Sequence, residues 1–223
     1  MDIAITGASR GIGLELTTQA LERGDRVMAF ARKPKEVPAL NTLKSKFGDK
    51  LQIKELDVSH AQAPEQAIDA LSTWPSLDTL INNAGIYREG ESQKDFIESF
   101  TVNSIAPFLI TRALSPKLKA SSHPKSIQIS SLMGSIEDNT SGGSYTYRAS
   151  KAALNMITKT LAVSERWLIA AAMHPGWVKT RMGGLEAPLS ATNSAKGLWR
   201  VIHELTPKES GGFYDYEGNL LPW

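Results

Sequence analysis

Ile3-Ala4-Ile5-Thr6-Gly7-Ala8-Ser9-Arg10-Gly11-Ile12-Gly13 is the stretch that decides the fold. A short apolar run passes straight into a turn carrying three glycines, and a helical pattern over 11–23 follows. Glycines at these positions let the backbone turn tightly, approach a pyrophosphate and pack the next helix onto a sheet. The first turn of that helix presents unpaired N–H groups and partial positive charge to the phosphates. Any strand-to-helix turn favours glycine, so the placement in the first βα unit is what points to a dinucleotide. Gly7, Ser9, Arg10, Gly11, Ile12 and Gly13 are the expected contacts.

Outward from this unit, short apolar runs alternate with amphipathic ones. Strands are expected at Ile3–Thr6, Arg26–Phe30, Leu51–Glu55, Thr79–Asn82, Ser126–Ser130 and Ile169–Met173, with a last one near Gly212–Tyr214. Helices are expected around 11–23, 38–47, 63–73, 92–119, 145–164 and 191–205, and Pro107 should kink or break the fourth. The alternation predicts an α/β fold: a single-domain, Rossmann-type, doubly wound parallel sheet of about seven strands with helices on both faces. One dinucleotide-binding domain over 1–223 is expected, since no linker or repeat divides the chain.

Composition excludes several classes. A net charge of +2, with scattered basic residues, gives no case for nucleic acid or a membrane surface. No stretch approaches the roughly 18 apolar residues of a membrane span. Zero cysteines remove disulfides, thiolate metal sites and a Cys nucleophile, and His60, His123, His174 and His203 lack metal-ligand spacing. No signal peptide is legible at the N-terminus, and a cytoplasmic location is expected.

The end of the second strand selects the nucleotide. NAD-binding units place an acid there for the ribose 2′-hydroxyl. This chain has Met28-Ala29-Phe30-Ala31-Arg32-Lys33, with no carboxylate in the slot. A guanidinium binds a 2′-phosphate bidentately, whereas an acid would repel it. Arg32, helped by Arg10, therefore predicts NADP(H).

The chemistry rests on Tyr147-Arg148-Ala149-Ser150-Lys151. Residues four apart on a helix share a face, and an ammonium beside a phenol favours the phenolate. The pair is expected to bring a tyrosine toward a working pKa and to move a proton on and off a substrate oxygen. Asn82-Asn83-Ala84-Gly85, Ser130-Ser131-Leu132-Met133-Gly134 and Pro175-Gly176-Trp177-Val178-Lys179-Thr180 each end a strand, where open α/β sheets bind ligands. In this order the motifs resemble the short-chain dehydrogenase/reductase family, and the resemblance covers essentially the whole chain. The Tyr147–Asn155 run and the ending Gly212–Gly218 with Pro222-Trp223 look like the C-factor-like, Sniffer-type carbonyl reductase branch.

The resemblance implies a role for each matching residue. Tyr147 would be the general acid in reduction, and Lys151 would hold the nicotinamide ribose and depress the Tyr147 pKa. Ser131, with Ser130 as the alternative, would bond the substrate oxygen. Asn103 would anchor a proton-relay water to Lys151. Asp57 and Val58 would flank adenine, and Asn83, Ala84 and Gly85 would face the ribose. Pro175, Gly176, Val178 and Thr180 would line the nicotinamide end. The substrate walls would be Ile86, Tyr87, Leu132, Met133, Trp177 and Met182, which suits a hydrophobic carbonyl or alcohol compound. Helices 92–119 and 145–164 make homodimer or homotetramer contacts in many relatives. A nucleotide-sensing regulator on the same fold is the alternative, weakened because the chain retains Tyr147, Lys151, Ser131 and Asn103.

Overall fold

The computed structural model describes all 223 residues. It contains one seven-stranded sheet of order β3-β2-β1-β4-β5-β6-β7, parallel throughout. Its strands are β1 (Asp2–Thr6), β2 (Arg26–Ala31), β3 (Leu51–Glu55), β4 (Thr79–Asn82), β5 (Lys125–Ile129), β6 (Ile169–His174) and β7 (Phe213–Asp215). The helices are α1 (Gly11–Glu22), α2 (Pro38–Phe47), α3 (Ala63–Ala70), α4 (Gln93–Phe100), α5 (Ala106–Ala113), α6 (Ser115–Lys119), α7 (Tyr145–Ser164) and α8 (Ala191–Glu204). None is long and apolar enough to cross a membrane.

The central strands read as continuous apolar runs because both of their faces are covered. Alternate residues serve opposite faces. Ile3, Ile5, Val27 and Ala29 join Leu16, Leu198 and Trp199 in one core. Ala4, Met28 and Phe30 join Ala67, Ile110 and Trp74 in the other. Period-two side-chain alternation along each strand produces this partition.

The expected 92–119 helix is three helices. Ser92 caps α4, accepting from the Asp95 N–H while the Asp95 carboxylate accepts from the Ser92 N–H. A π-helical turn at Thr101–Ile105 then leads into α5, where Pro107 sits in the first turn and its missing N–H costs little. Pro116 opens α6 in the same way. α2, β3, β4 and α7 keep their expected bounds, and others shift by one to three residues: β5 begins at Lys125, β6 runs to His174 and α3 stops at Ala70.

The sheet order fixes where a ligand can sit. From β1 the chain builds outward to β2 and β3, then crosses back to β4 on the other side of β1. The helices that follow β1 and β4 therefore pack on opposite faces of the sheet, and a crevice opens at the carboxyl ends of the strands.

Candidate active site

That crevice is a cleft of about 1030 Å³. Its walls include Gly7, Ser9, Arg10, Gly11, Ile12 and Gly13 from the first turn, Arg32 after β2, and Asp57 and Val58 after β3. Asn83, Ala84 and Gly85 after β4, Tyr147 and Lys151 on α7, and Pro175 and Thr180 after β6 complete it. Of the expected cofactor residues, only Gly176 and Val178 do not line it. Val178 is buried and bridges to Leu189, and a Cβ on Gly176 would meet Leu189 and Tyr216.

The phosphate turn is held open by its glycines and by Asn83. Gly7 and Gly11 have φ of 67° and 55°, a left-handed region that glycine enters without strain. A Cβ on Gly13 would lie 2.3 Å from the Gly7 oxygen and 2.4 Å from Asn83 Nδ2. The Asn83 amide donates to the carbonyls of Thr6 and Gly7 at 3.0 and 3.1 Å. The N–H groups of Asn83 and Ala84 each donate to Thr6 Oγ1 at 3.1 Å. Asn83 thus splices the β4 loop onto the turn, a structural role that sequence reading did not assign.

Arg10, Arg32 and Arg181 line the cleft, and none has a hydrogen-bond or ion-pair partner within the chain. Burial, and then the charges of Arg181 and Arg32, hold Arg10 below the usual guanidinium range. Asp57 accepts from the N–H and hydroxyl of Ser59 at 3.0 and 2.7 Å. Burial works against its charge, but the Ser59 donors, with His60 and Arg32 nearby, keep its carboxyl below the ordinary range.

At the other end, Tyr147 and Lys151 rise side by side from α7 and are almost fully buried. Ser131 faces the Tyr147 phenol, whereas the Ser130 hydroxyl donates to Asn155 Oδ1 at 2.6 Å and is buried. Lys151 Nζ donates to the Ile129 carbonyl at 2.8 Å and lies 5.8 Å from the Tyr147 ring centre. The expected depression of Tyr147 by Lys151 does not hold in this state. Burial pushes the phenol up to about 12, opposed by the Ser131 hydroxyl. Burial also brings Lys151 down to about 8. Desolvation wins because the ammonium is turned to a carbonyl and not to the phenolic oxygen.

Asn103 lies in the π turn and is wholly buried. Its Oδ1 accepts from the Ile86 N–H and its Nδ2 donates to the Ile86 carbonyl, both at 2.9 Å. Nδ2 also donates to Ser150 Oγ at 3.0 Å. The side chain thereby joins the β4 loop to α7, with both amide hydrogens used and one lone pair of Oδ1 free. Pro107 lies four residues on and has no N–H, which removes the ordinary helical partner of the Asn103 carbonyl.

The expected substrate walls divide. Ile86, Tyr87 and Met182 line the cleft. Met133 lines an adjoining hollow of about 240 Å³ with Ile136, Tyr145 and Arg148. Leu132 lines neither, and Trp177 is exposed with its indole donating to the Gly183 carbonyl at 2.8 Å. The Tyr87 ring meets Tyr147 edge-on at 5.1 Å, and its hydroxyl pairs with Ser144 Oγ at 2.8 Å.

A parallel doubly wound sheet, a glycine-built phosphate turn and a buried Tyr147–Lys151 pair at one cleft, with Ser131 beside the phenol although it does not line the cleft, define a dinucleotide-dependent oxidoreductase. Residues 2–188 match the short chain dehydrogenase family, and the chain belongs to that family. It is 41% identical to C-signal of Myxococcus xanthus over 66% of this chain and 93% of that one. The NADPH-bound carbonyl reductase from chicken fatty liver superposes with a TM-score of 0.94 at 36% identity, covering 100% of this chain and 98% of that one. Carbonyl reductase Sniffer of D. melanogaster gives 0.94 at 31% identity, covering 100% and 99%.

Proposed function

We propose that this chain is an NADP(H)-dependent carbonyl reductase acting on a hydrophobic aldehyde or ketone. The observation that carries the reading is the division of the cleft. A buried, protonated tyrosine facing a serine stands at one end, and three unpaired guanidiniums surround the glycine turn at the other. The turn fits a dinucleotide: Gly7 and Gly11 take the left-handed φ that it needs, and Cβ atoms at Gly7 and Gly13 would strike the β4 loop and the turn itself, so only glycine keeps its shape. Arg32 and Arg10 fit a 2′-phosphate, and Lys151 and Gly85 stand where a ribose would be received. When bound, the cofactor supplies a hydride to the carbonyl carbon. Ser131 holds the substrate oxygen with its hydroxyl and favours developing negative charge there. Tyr147 gives its proton to that oxygen, and the phenol's high pKa keeps the proton in place at neutral pH. In the reverse reaction the same phenol oxygen takes the proton back as a base. Ile86, Tyr87 and Met182 present an apolar and aromatic wall to the substrate.

A homodimer or homotetramer belongs to the same reading. Ile105, Phe108 and Leu109 near α5, and Met156 and Val163 on α7, are exposed apolar side chains on the helices expected to meet a partner. Purified protein should oxidise NADPH when offered a panel of aldehydes and ketones. Tyr147→Phe should lower kcat by about 10²-fold or more while NADPH binding persists. Equal turnover by wild type and Tyr147→Phe would defeat the enzymatic reading.

A further inference from the structure

Arg181 is the one of the three cleft guanidiniums without a particular phosphate to meet. It follows Thr180, whose methyl group lies over the phosphate turn: a Cβ on Gly11 would come within 3.1 Å of Thr180 Cγ2. The segment carrying it is well fastened. Gly184 N–H donates to the Thr180 carbonyl at 2.9 Å, Gly183 N–H donates to Thr180 Oγ1 at 3.1 Å, and Lys179 N–H donates to the Leu189 carbonyl at 2.8 Å. The base of the Arg181 side chain is thus fixed at the lip of the cleft facing the N-terminus of α1. Its guanidinium has no acceptor within the chain although it shares the cleft with Arg10 and Arg32.

We propose that Arg181 clamps the pyrophosphate of the bound dinucleotide against the glycine turn, while Arg32 reads the 2′-phosphate and Arg10 stands between them. This rests on the dinucleotide reading above. The sheet order carries the division of labour. Arg32 leaves β2 on one flank of β1, and the segment bearing Arg181 leaves β6 beyond β4 and β5 on the other. The segments carrying the two residues come to the cleft from opposite flanks of β1, and the charges of both bear on Arg10. Asp57 offsets part of the charge near Arg32, whereas Arg10 and Arg181 repel each other across the cleft, and the phosphates of a bound dinucleotide would relieve that repulsion. Arg181 therefore contributes affinity for any adenine dinucleotide and no discrimination between NADP(H) and NAD(H).

ADP-ribose, which carries the pyrophosphate but no 2′-phosphate, separates the roles by calorimetry without turnover. Arg181→Gln should weaken ADP-ribose, NADH and NADPH by a common factor of about fivefold or more, with Arg181→Lys recovering part of the loss. Arg32→Gln should weaken NADPH alone. A smaller loss of ADP-ribose binding in Arg181→Gln overturns the proposal, as does a loss confined to NADPH, which would place Arg181 on the 2′-phosphate. If the wild type binds NADPH and NADH equally and Arg32→Gln changes neither, the NADP(H) reading fails, and the ADP-ribose result still decides Arg181.

Discussion

Replacing Lys151 with methionine should make the cofactor-free protein more stable while removing its activity. Lys151 is 4% exposed and has one hydrogen bond, to the Ile129 carbonyl. Its fall from 10.5 to about 8 means that holding the charged form in the fold costs about 3 kcal/mol at neutral pH. Methionine has similar length and adapts to irregular space. It leaves the Ile129 carbonyl without a partner, costing about 1 kcal/mol. The net gain is about 2 kcal/mol at pH 7, or roughly 4–8 °C in Tm for a chain of this size. The sign with pH is fixed. Below pH 8 both folded and unfolded states hold the proton and the full cost is present. Between about 8 and 10.5 the folded state releases the proton first, so wild-type stability rises with pH and the variant's advantage shrinks. Thermal melts of both proteins from pH 6.5 to 10.5 measure it. A variant less stable than wild type at pH 7, or a gap that does not change with pH, would refute the reasoning.

Gly13→Ala should cost about 1–3 kcal/mol in chemical denaturation and weaken NADPH binding, because its Cβ would overlap the Gly7 oxygen and the Asn83 amide. Ser144 has φ 49° and bonds Tyr87, so Ser144→Gly and Ser144→Ala both lose the bond but only glycine relieves the backbone. The glycine variant should be the more stable by about 1 kcal/mol, and a stability order favouring alanine would contradict the left-handed assignment. Leu109→Glu with Met156→Glu should shift sedimentation toward monomer, and an unchanged sedimentation coefficient would place any interface elsewhere.

Most of the fold was legible because parallel central strands and amphipathic helices write their burial directly into residue pattern. α2 and α7 fall where periodicity places them, and the strand ends differ only where tertiary pairing sets them, as at Lys125. The π turn at Thr101–Ile105 was not legible, because a single i→i+5 turn leaves no periodicity in the residue pattern. In the site, the Tyr147–Lys151 spacing and the missing acid after β2 could be read from residue types alone. Which of Ser130 and Ser131 faces the Tyr147 phenol depends on side-chain direction at a strand end, which residue order does not give. Asn103 could be found by resemblance, but its engagement with Ile86 could not. Arg181 joins Arg10 only through the crossover from β6, so no local pattern marks it.

The Tyr147 pKa was anticipated with the wrong sign, and the reason bears on function. Pair spacing speaks only to the Coulomb interaction between phenol and ammonium, whereas burial acts on each separately and drives the two toward their neutral forms. At neutral pH the phenol stays protonated and most of the Lys151 population stays charged. The cleft then gathers Lys151 at one end and three unpaired arginines at the other, in a chain whose net charge is only +2. That concentration of cation draws an anionic dinucleotide inward. Burial around α7 keeps Tyr147 protonated, and the charge that attracts a dinucleotide resides in residues other than the tyrosine.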